Sequence, residues 1–354
     1  MGEKATVLVT ATGGIVGEGI IKSLRLANSK SGPVSYSILA ADADPRAAGL
    51  YRADEGFLLP GAGAPDYIDR LVKLTKENGV KAIFVGADEE LAAVASAADR
   101  ISKEGGAVAI SNAPETIAVG SDKWKTYEFM KRNGLPCAES ALPGERERFV
   151  KEFGYPVVVK PRDGHGSEEF YVARGADDLD HAVSAIQRRG WHPMLQELLT
   201  GEDNEFTTGV TVGRRGAEVM SSISMRRSLK SGQTYKAFID DFPEVRKAAE
   251  EVARRLRGSG PVNVQARVSK GEPKLFEINP RFSASCPLRA AAGVNEPDIL
   301  YRNFVLGEEI RAEGYQRLVC LRYWNEVYLP YGDYEQAERT GKVRDSGSWI
   351  PDYF

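Results

Sequence analysis

The 354-residue chain carries a net charge of −3, with 42% apolar and 27% charged residues. This is an ordinary globular composition, and the length suits two or three domains. The weak charge, with no long basic block, argues against nucleic acid or an anionic membrane surface as the main partner. Three dispersed cysteines (Cys137, Cys286, Cys320) and three histidines (His165, His181, His192) suggest no disulfide framework, zinc site or histidine-based metal chemistry. The N-terminus enters a strand too early for a signal peptide, and no apolar run reaches membrane-span length, so the expected location is the cytoplasm.

In chain order, Ala5–Thr10 reads as a buried strand. Ala11-Thr12-Gly13-Gly14-Ile15-Val16-Gly17 turns it into a helix carrying Ile20, Ile21 and Leu24. Strands follow at Tyr36–Ala41 and Lys81–Gly86, the latter leading to Ala87-Asp88-Glu89-Glu90 at a helix head. Alternating strands and helices predict a parallel, right-handed layer with any ligand at the strands' C-terminal ends. The glycine turn lacks the G-x-G-x-x-G order, which favours a tight-packing turn over a dinucleotide site.

A helix is predicted from Ser121 to Met130, capped by Ser121 or Asp122 and stopped at Gly134. Lys123 sits in its first turn, where anions are preferred; a bound phosphate would explain it, and so would plain solvation. Val157-Val158-Val159-Lys160 is a β-branched strand ending in a lysine. The glycine-bearing tip Gly164-His165-Gly166-Ser167 follows, with backbone N–H groups suited to closing over phosphates, and then a return strand from Phe170 to Ala173. Beyond a helix over Leu179–Arg188, strands are predicted at Pro193–Leu199, Phe206–Val212 and Ala217–Ser224. The cationic stretch Ser224–Gln233 shows no periodicity and reads as a mobile binding loop. A helix from Pro243 to Arg257 takes Asp241 as its cap.

Residues 262–281 then alternate apolar and polar positions in two runs around Lys270-Gly271-Glu272-Pro273, which marks a hairpin. A register centred on Gly271 sets Gln265 opposite Glu277. Leu275, Glu277 and Asn279 are expected on one face, Phe276 and Ile278 on the other. Gln265, Glu277 and Asn279 form a cluster of oxygen donors followed by Arg281. Such a set suits Mg²⁺, and equally an ordinary polar hairpin face. Asp298–Leu306 reads as helix, Leu318–Leu329 as strand, and Tyr331–Phe354 as a small extension packing on the main domain.

Taken in order, Ser-Asp-Lys (121–123), Val-Lys-Pro (159–161) and Glu-Ile-Asn-Pro-Arg (277–281), with the glycine tip, resemble the ATP-grasp superfamily. Within it the chain is most similar to the carbamoyl-phosphate synthase large-subunit-like branch of carboxylate–amine ligases, over roughly Thr6 to Leu306. The resemblance implies an α/β (α+β) ATP-grasp fold. Residues 1–112 would be a parallel α/β pre-ATP-grasp domain. Residues 113–310 would be the ATP-grasp domain, with a lid subdomain at about 120–195 and a metal-hairpin subdomain at about 196–310. Residues 311–354 would be a C-terminal extension.

It further implies that Lys123 and Lys160 contact ATP phosphates under a lid formed by Gly164, Gly166 and Ser167. Gln196, Glu197, Leu198 and Leu199 would line the adenine hinge. Glu205 would bind ribose, with Glu202 as rival. Gln265, Glu277 and Asn279 would hold Mg²⁺ (or Mn²⁺), and Arg281 would face the transferred phosphoryl group or the carboxylate. The implied reaction turns a carboxylate into an acyl phosphate that an amine or ammonia displaces. Charge neutralisation carries such chemistry, so no nucleophilic triad is expected. The implied partners are small carboxylates and amines, with a homodimer as a further expectation. Competing readings are a half-length synthase-like protein acting on bicarbonate, an ATP-binding sensor without turnover, and an NAD(P) dehydrogenase using Gly13–Gly17.

Overall fold

The apolar run at the N-terminus becomes β1 (Glu3–Val9), inside a six-stranded sheet. It is followed by α1 (Ile15–Ser29), β2 (Val34–Asp42), β3 (Glu55–Leu58), α2 (Tyr67–Glu77), β4 (Ala82–Phe84), α3 (Asp88–Ser96), α4 (Ala98–Arg100) and β5 (Val108–Ile110). These five strands are parallel, in the order β3-β2-β1-β4-β5. Val7 and Val9 pack on one side of the sheet and Leu8 on the other, as a strand covered on both faces requires. β3, α2 and β5 add to the elements read from the sequence. The glycine turn is a packing device: a Cβ on Gly17 would lie 2.4 Å from the Ala11 carbonyl oxygen, and one on Gly86 2.0 Å from that of Thr10.

This computed structural model describes residues 2–30, 32–163, 169–201, 204–216, 218–312 and 314–352. Gly164, Gly166, Ser167 and Glu202 therefore lie outside the described residues.

α5 (Pro114–Gly120) and α6 (Lys123–Arg132) come next. Asp122 caps α6, accepting from the backbone N–H of Trp124 at 2.8 Å and of Lys125 at 3.3 Å. β6 (Ser140–Ala141), α7 (Arg146–Phe153), β7 (Val157–Pro161), β8 (Tyr171–Ala173), α8 (Ala176–Arg188) and β9 (Pro193–Glu197) build a second layer. Its antiparallel sheet, β6-β9-β7-β8, packs its own small core of Phe149, Val157, Val159, Leu179, Ile186 and Leu195.

The third layer contains β10 (Glu205–Val212), β11 (Val219–Lys230), β12 (Gln233–Ile239), α9 (Pro243–Leu256), β13 (Gly260–Ser269), β14 (Glu272–Asn279), α10 (Cys286–Ala291), α11 (Glu296–Leu306) and β15 (Leu318–Leu321). Its strands form an antiparallel sheet ordered β14-β13-β10-β11-β12-β15. Val245, Ala249 and Val252 of α9 pack with Val210, Val262 and Ile278, joined by Phe129 and Met130 of α6. Met225, Ala237 and Ile239 share a core with Ile20 and Leu24 of α1 and with Leu300 and Tyr301 of α11. The first and third layers are thus welded by one core.

Four expectations are corrected here. The stretch Ser224–Gln233 is not a mobile loop but the end of β11 and the turn into β12, with Ser231 and Gly232 both at positive φ, as a tight hairpin turn requires. Its cations are matched across strands: Arg227 pairs with Glu205, and Arg226 stacks over the Phe238 ring at 4.8 Å. Asp241 does not cap α9; Phe242 holds that position without a side-chain bond, and Asp241 lies 3.6 Å from Arg246. Strand pattern after residue 318 ends at Leu321. Finally, residues 331–352, expected as a small extension packing on the main domain, add a strand to the N-terminal sheet instead. α12 (Tyr331–Thr340) leads to β16 (Lys342–Arg344), which pairs antiparallel with β3 and closes that edge of the N-terminal sheet.

The hairpin keeps the expected pairing of Gln265 with Glu277 and of Asn263 with Asn279. A β-bulge shifts the register between Gln265 and Ala266, and a bulge leaves one residue unpaired and redirects side chains. Leu275 therefore joins Ile278 in the core, while Phe276 turns to the side of Glu277. Strict alternation had assigned Leu275 and Phe276 the other way, while Glu277, Ile278 and Asn279 lie as expected.

Candidate functional site

A cavity of about 720 Å³ opens where the three layers meet, within the usual range for a small-molecule site. The end of β7 brings Lys160, and the head of α6 brings Lys123. The exit of β9 brings Gln196, Glu197, Leu198 and Leu199, while β10 brings Glu205 and the hairpin brings Gln265, Phe276, Glu277 and Arg281. Asn279 adjoins through its bond to Glu277. The first layer adds Ile15 and Val16 at the N-terminus of α1, and Asp88 at the start of α3.

Lys160 is buried, its Nζ donating to Gln196 Oε1 at 2.9 Å and lying 5.7 Å from the centre of the Phe276 ring. Burial pushes this ammonium down to about 8; Glu277 opposes the fall and Lys123 reinforces it. The Lys123 backbone N–H donates to the Arg162 carbonyl at 2.9 Å, which ties the head of α6 to the end of β7. The Asp122 cap is itself gripped by Arg162, at 2.6 and 3.1 Å. The misplaced-looking cation in the first turn is therefore carried beside Lys160 by a built contact.

Around Glu277 the charges balance. Burial raises this carboxyl, but Lys123, Lys160, the Asn279 N–H and Arg281 outweigh it and hold the group below its ordinary range. Burial works against the Arg281 charge, and Asp88 more than compensates. Arg281 forks onto that carboxylate, Nε to Oδ1 at 2.7 Å and Nη2 to Oδ2 at 2.8 Å, the strong bidentate geometry. Among the described residues, no group of three His, Cys, Asp or Glu side chains could hold a metal. The hairpin instead offers one carboxylate and two amides. That set fits Mg²⁺, which commonly takes one or two carboxylates and completes its shell with phosphates and water.

At the hinge, side chains are already engaged. Gln196 Nε2 donates to Ser140 Oγ at 3.0 Å, and Glu197 accepts from Lys274 Nζ at 2.6 Å and from the Glu139 N–H at 2.9 Å. The backbone and Leu198 are left to shape that wall. The Glu205 carboxylate accepts two bonds from Arg227, at 2.9 and 3.2 Å, and one from Arg267 at 2.8 Å. Ionised carboxylates offer about four lone-pair sites, so room for a hydroxyl remains. Sequence reasoning passed over Asp88, Arg267 and Phe276 as site residues, and named Arg227 only as part of the stretch 224–233 read as a binding loop. Asp88 had a signal, since it follows a parallel strand at its C-terminal end; the others depend on sheet register and on the bulge.

Two family models match the chain: "PylC-like, N-terminal domain" over residues 16–109, and "ATP-grasp in the biosynthetic pathway with Ter operon" over residues 192–322. A carbamoyl-phosphate synthase from Methanobrevibacter smithii is 23% identical over 311 residues, covering 84% of this chain and 82% of the relative. The carbamoyl phosphate synthase large chain from Pasteurella multocida is 24% identical over 269 residues; the match covers 69% of this chain but only 25% of that one. Among solved structures, N5-carboxyaminoimidazole synthetase from Staphylococcus aureus, complexed with ADP, aligns with a TM-score of 0.67 at 15% identity, covering 96% of this chain and 86% of the other. A biotin carboxylase from Campylobacter jejuni gives 0.67 at 18% identity, covering 88% and 73%. By fold the chain is similar to these ATP-grasp enzymes, with residues 192–322 matching an ATP-grasp model and residues 16–109 a PylC-like N-terminal domain.

Proposed function

We propose that the chain is an ATP- and Mg²⁺-dependent ligase. It activates a small carboxylate as an acyl phosphate, which an amine or ammonia then attacks. The observation that carries this reading is the convergence of Lys123, Lys160, Glu277 and Arg281 on one cavity, with cations for a triphosphate and a carboxylate for its metal. The carboxylate oxygen attacks the γ-phosphorus and ADP departs; the amine nitrogen then attacks the acyl carbon, and phosphate leaves as the amide forms.

Lys123 and Lys160 hold the phosphates, and Arg281 balances charge on the transferring group. Glu277 would hold Mg²⁺, with Gln265 and Asn279 beside it; the bound ion would neutralise phosphate charge. Glu205 would take the ribose, and Gln196–Leu199 the adenine. Gly164, Gly166 and Ser167 stay assigned to the lid by resemblance alone. Under this reading residues 1–112 are the pre-ATP-grasp domain and residues 113–310 the ATP-grasp domain.

The partners are then small carboxylates and amines. Among the described residues no helix is long and apolar enough to cross a membrane, which agrees with a cytoplasmic enzyme. A homodimer is part of the proposal, as the biotin carboxylase domain of a Hydrogenobacter thermophilus relative is described as a dimer; light scattering tests it. The bicarbonate anion named in the Hydrogenobacter thermophilus structure keeps bicarbonate as a second candidate substrate.

The test is coupled ADP release over amino acids, dicarboxylates, bicarbonate and ammonia. Mg²⁺-dependent turnover with a carboxylate–amine pair supports the ligase. ATP binding with no turnover across the panel would instead identify a sensor. Glu277→Gln should lower kcat by at least about a hundredfold, the scale of losing a preorganised electrostatic group, while nucleotide affinity changes less. Unaltered activity would remove Glu277 from the metal site.

A further inference from the structure

Away from the cavity, the third sheet ends on a strand whose edge and apolar side are both open. β15 pairs only with β12, Leu318 opposite Ile239 and Leu321 opposite Lys236. One step further, the Arg322 backbone N–H donates to the Tyr235 carbonyl at 3.0 Å. In an antiparallel ladder such hydrogen-bonded pairs recur at every second residue. Leu318, Cys320 and Arg322 therefore direct their N–H and C=O groups to β12, and Val319 and Leu321 turn theirs to the open edge.

The side chains along that edge are apolar and exposed. Val319 is 60% exposed and Leu321 64%, with Tyr323 and Trp324 just beyond at 65% and 79%. Phe206, Arg226, Phe238 and Val319 lie in register across β10, β11, β12 and β15. This is the side on which α9 packs with Phe206, and its cover stops short of β15. Exposed edges are commonly blunted by lysine, proline or a bulge. Leu318-Val319-Cys320-Leu321 contains neither residue, and its pairing with β12 shows no register shift.

We infer that β15 is a self-association edge, on which a second copy of the chain lays its own β15 antiparallel across a two-fold axis and joins the two six-stranded sheets into one. The register that uses both outward residues sets Val319 of each copy against Leu321 of the other, and Cys320 against Cys320 on the axis. Two apolar cross-strand pairs result. Arg317 falls opposite Tyr323, a cation facing a ring, and no like charges meet. Val319, Leu321, Tyr323 and Trp324 together expose on the order of 500 Å². An isologous contact uses that stripe twice, burying about 1,000 Å², the lower bound for a specific interface. An interface of this size fits association in the micromolar range. The pairing rests on the homodimer reading and gives that dimer a face; the ligase chemistry is independent of it.

Light scattering after gel filtration of the full chain, over a micromolar dilution series, should show a dimer that gives way to monomer on dilution. Val319→Lys and Leu321→Lys, both at exposed positions, should each be monomeric throughout, with the circular dichroism of the folded wild type. A dimer that survives both changes would overturn the β15 edge and leave a dimer through another face. A wild-type monomer at every concentration would overturn the edge and the homodimer together. Cross-linking tests the register. At a non-hydrogen-bonded pair the Cα atoms lie about 4.5 Å apart, within disulfide reach. Air oxidation catalysed by copper–phenanthroline joins two thiols, whose hydrogens pass to oxygen. Because Cys137 and Cys286 are buried, a covalent dimer that Cys320→Ser abolishes is expected, and a dimer that never cross-links would overturn the register. Should the lysine variants misfold, the Cys320 cross-link decides by itself.

Discussion

Lys160 is the residue whose protonation should be visible in solution. An ordinary lysine titrates near 10.5, and burial brings this one to about 8. Phosphate prefers the charged form, so nucleotide affinity should be fully present below pH 8. It should fall as pH rises through that value, by up to about tenfold per unit for a single linked proton. The fold responds in the opposite sense. Between pH 8 and 10.5 the unfolded chain binds the extra proton, so this group makes folding more favourable as pH rises across that window. Lys160→Arg, charged throughout, should flatten the affinity profile measured by nucleotide titration from pH 7 to 9. A flat wild-type profile would exclude Lys160 from the phosphate site. Lys160→Met should weaken binding at pH 7 by about tenfold or more, in line with ~1.5–3 kcal/mol for a charged hydrogen bond.

At the scale of elements, the sheet that carries Glu277 is locked on that same face by a buried ion pair. Arg289 and Glu296, 0% and 3% exposed at their side chains, meet at 3.1 Å, and Arg289 also reaches Asn263 at 2.8 Å and Thr207 at 3.2 Å. Gly209 on β10 makes the space: a Cβ there would lie 1.7 Å from Glu296 Oε1 and 2.4 Å from Arg289 Nη1. Glu296→Ala should cost about 3–5 kcal/mol, because it strands a buried guanidinium. Gly209→Ala should cost a comparable amount by splitting the pair. Urea unfolding measures both, and losses below about 1 kcal/mol would show that the pair does not hold the sheet. The same sheet explains why residues 224–233 were misread. Their polarity looked like a loop because the partners that neutralise it, Glu205 and Phe238, lie on neighbouring strands.

At the scale of the whole molecule, the chain returns to where it began. β16 covers the β3 edge, and Val343 and Ala337 enter the core shared by the first and third layers. Removing residues 331–354 should expose a parallel-sheet edge, a known template for aggregation. Val343 alone contributes about 2 kcal/mol of apolar burial. The truncated chain should therefore melt at a lower temperature and scatter more light on heating; an unchanged melt would mean the return strand is ornamental to stability. This closure was invisible in the sequence, because three residues of weak strand pattern acquire a role only when an open edge is presented to them.

The amino-acid sequence by itself determined the alternation of β1, α1 and β2, the β-branched strand ending in Lys160, the Asp122-capped helix and the hairpin pairing of Gln265 with Glu277. Each depends on local periodicity, capping or turn chemistry, which act over a few residues. Tertiary structure alone decided that Phe276 rather than Leu275 faces the cavity, since a bulge is a property of paired strands. It also decided that Asp88 grips Arg281 and that Arg227 reaches Gln265. These contacts join residues 193 and 38 positions apart, and no local rule carries a charge across such a separation.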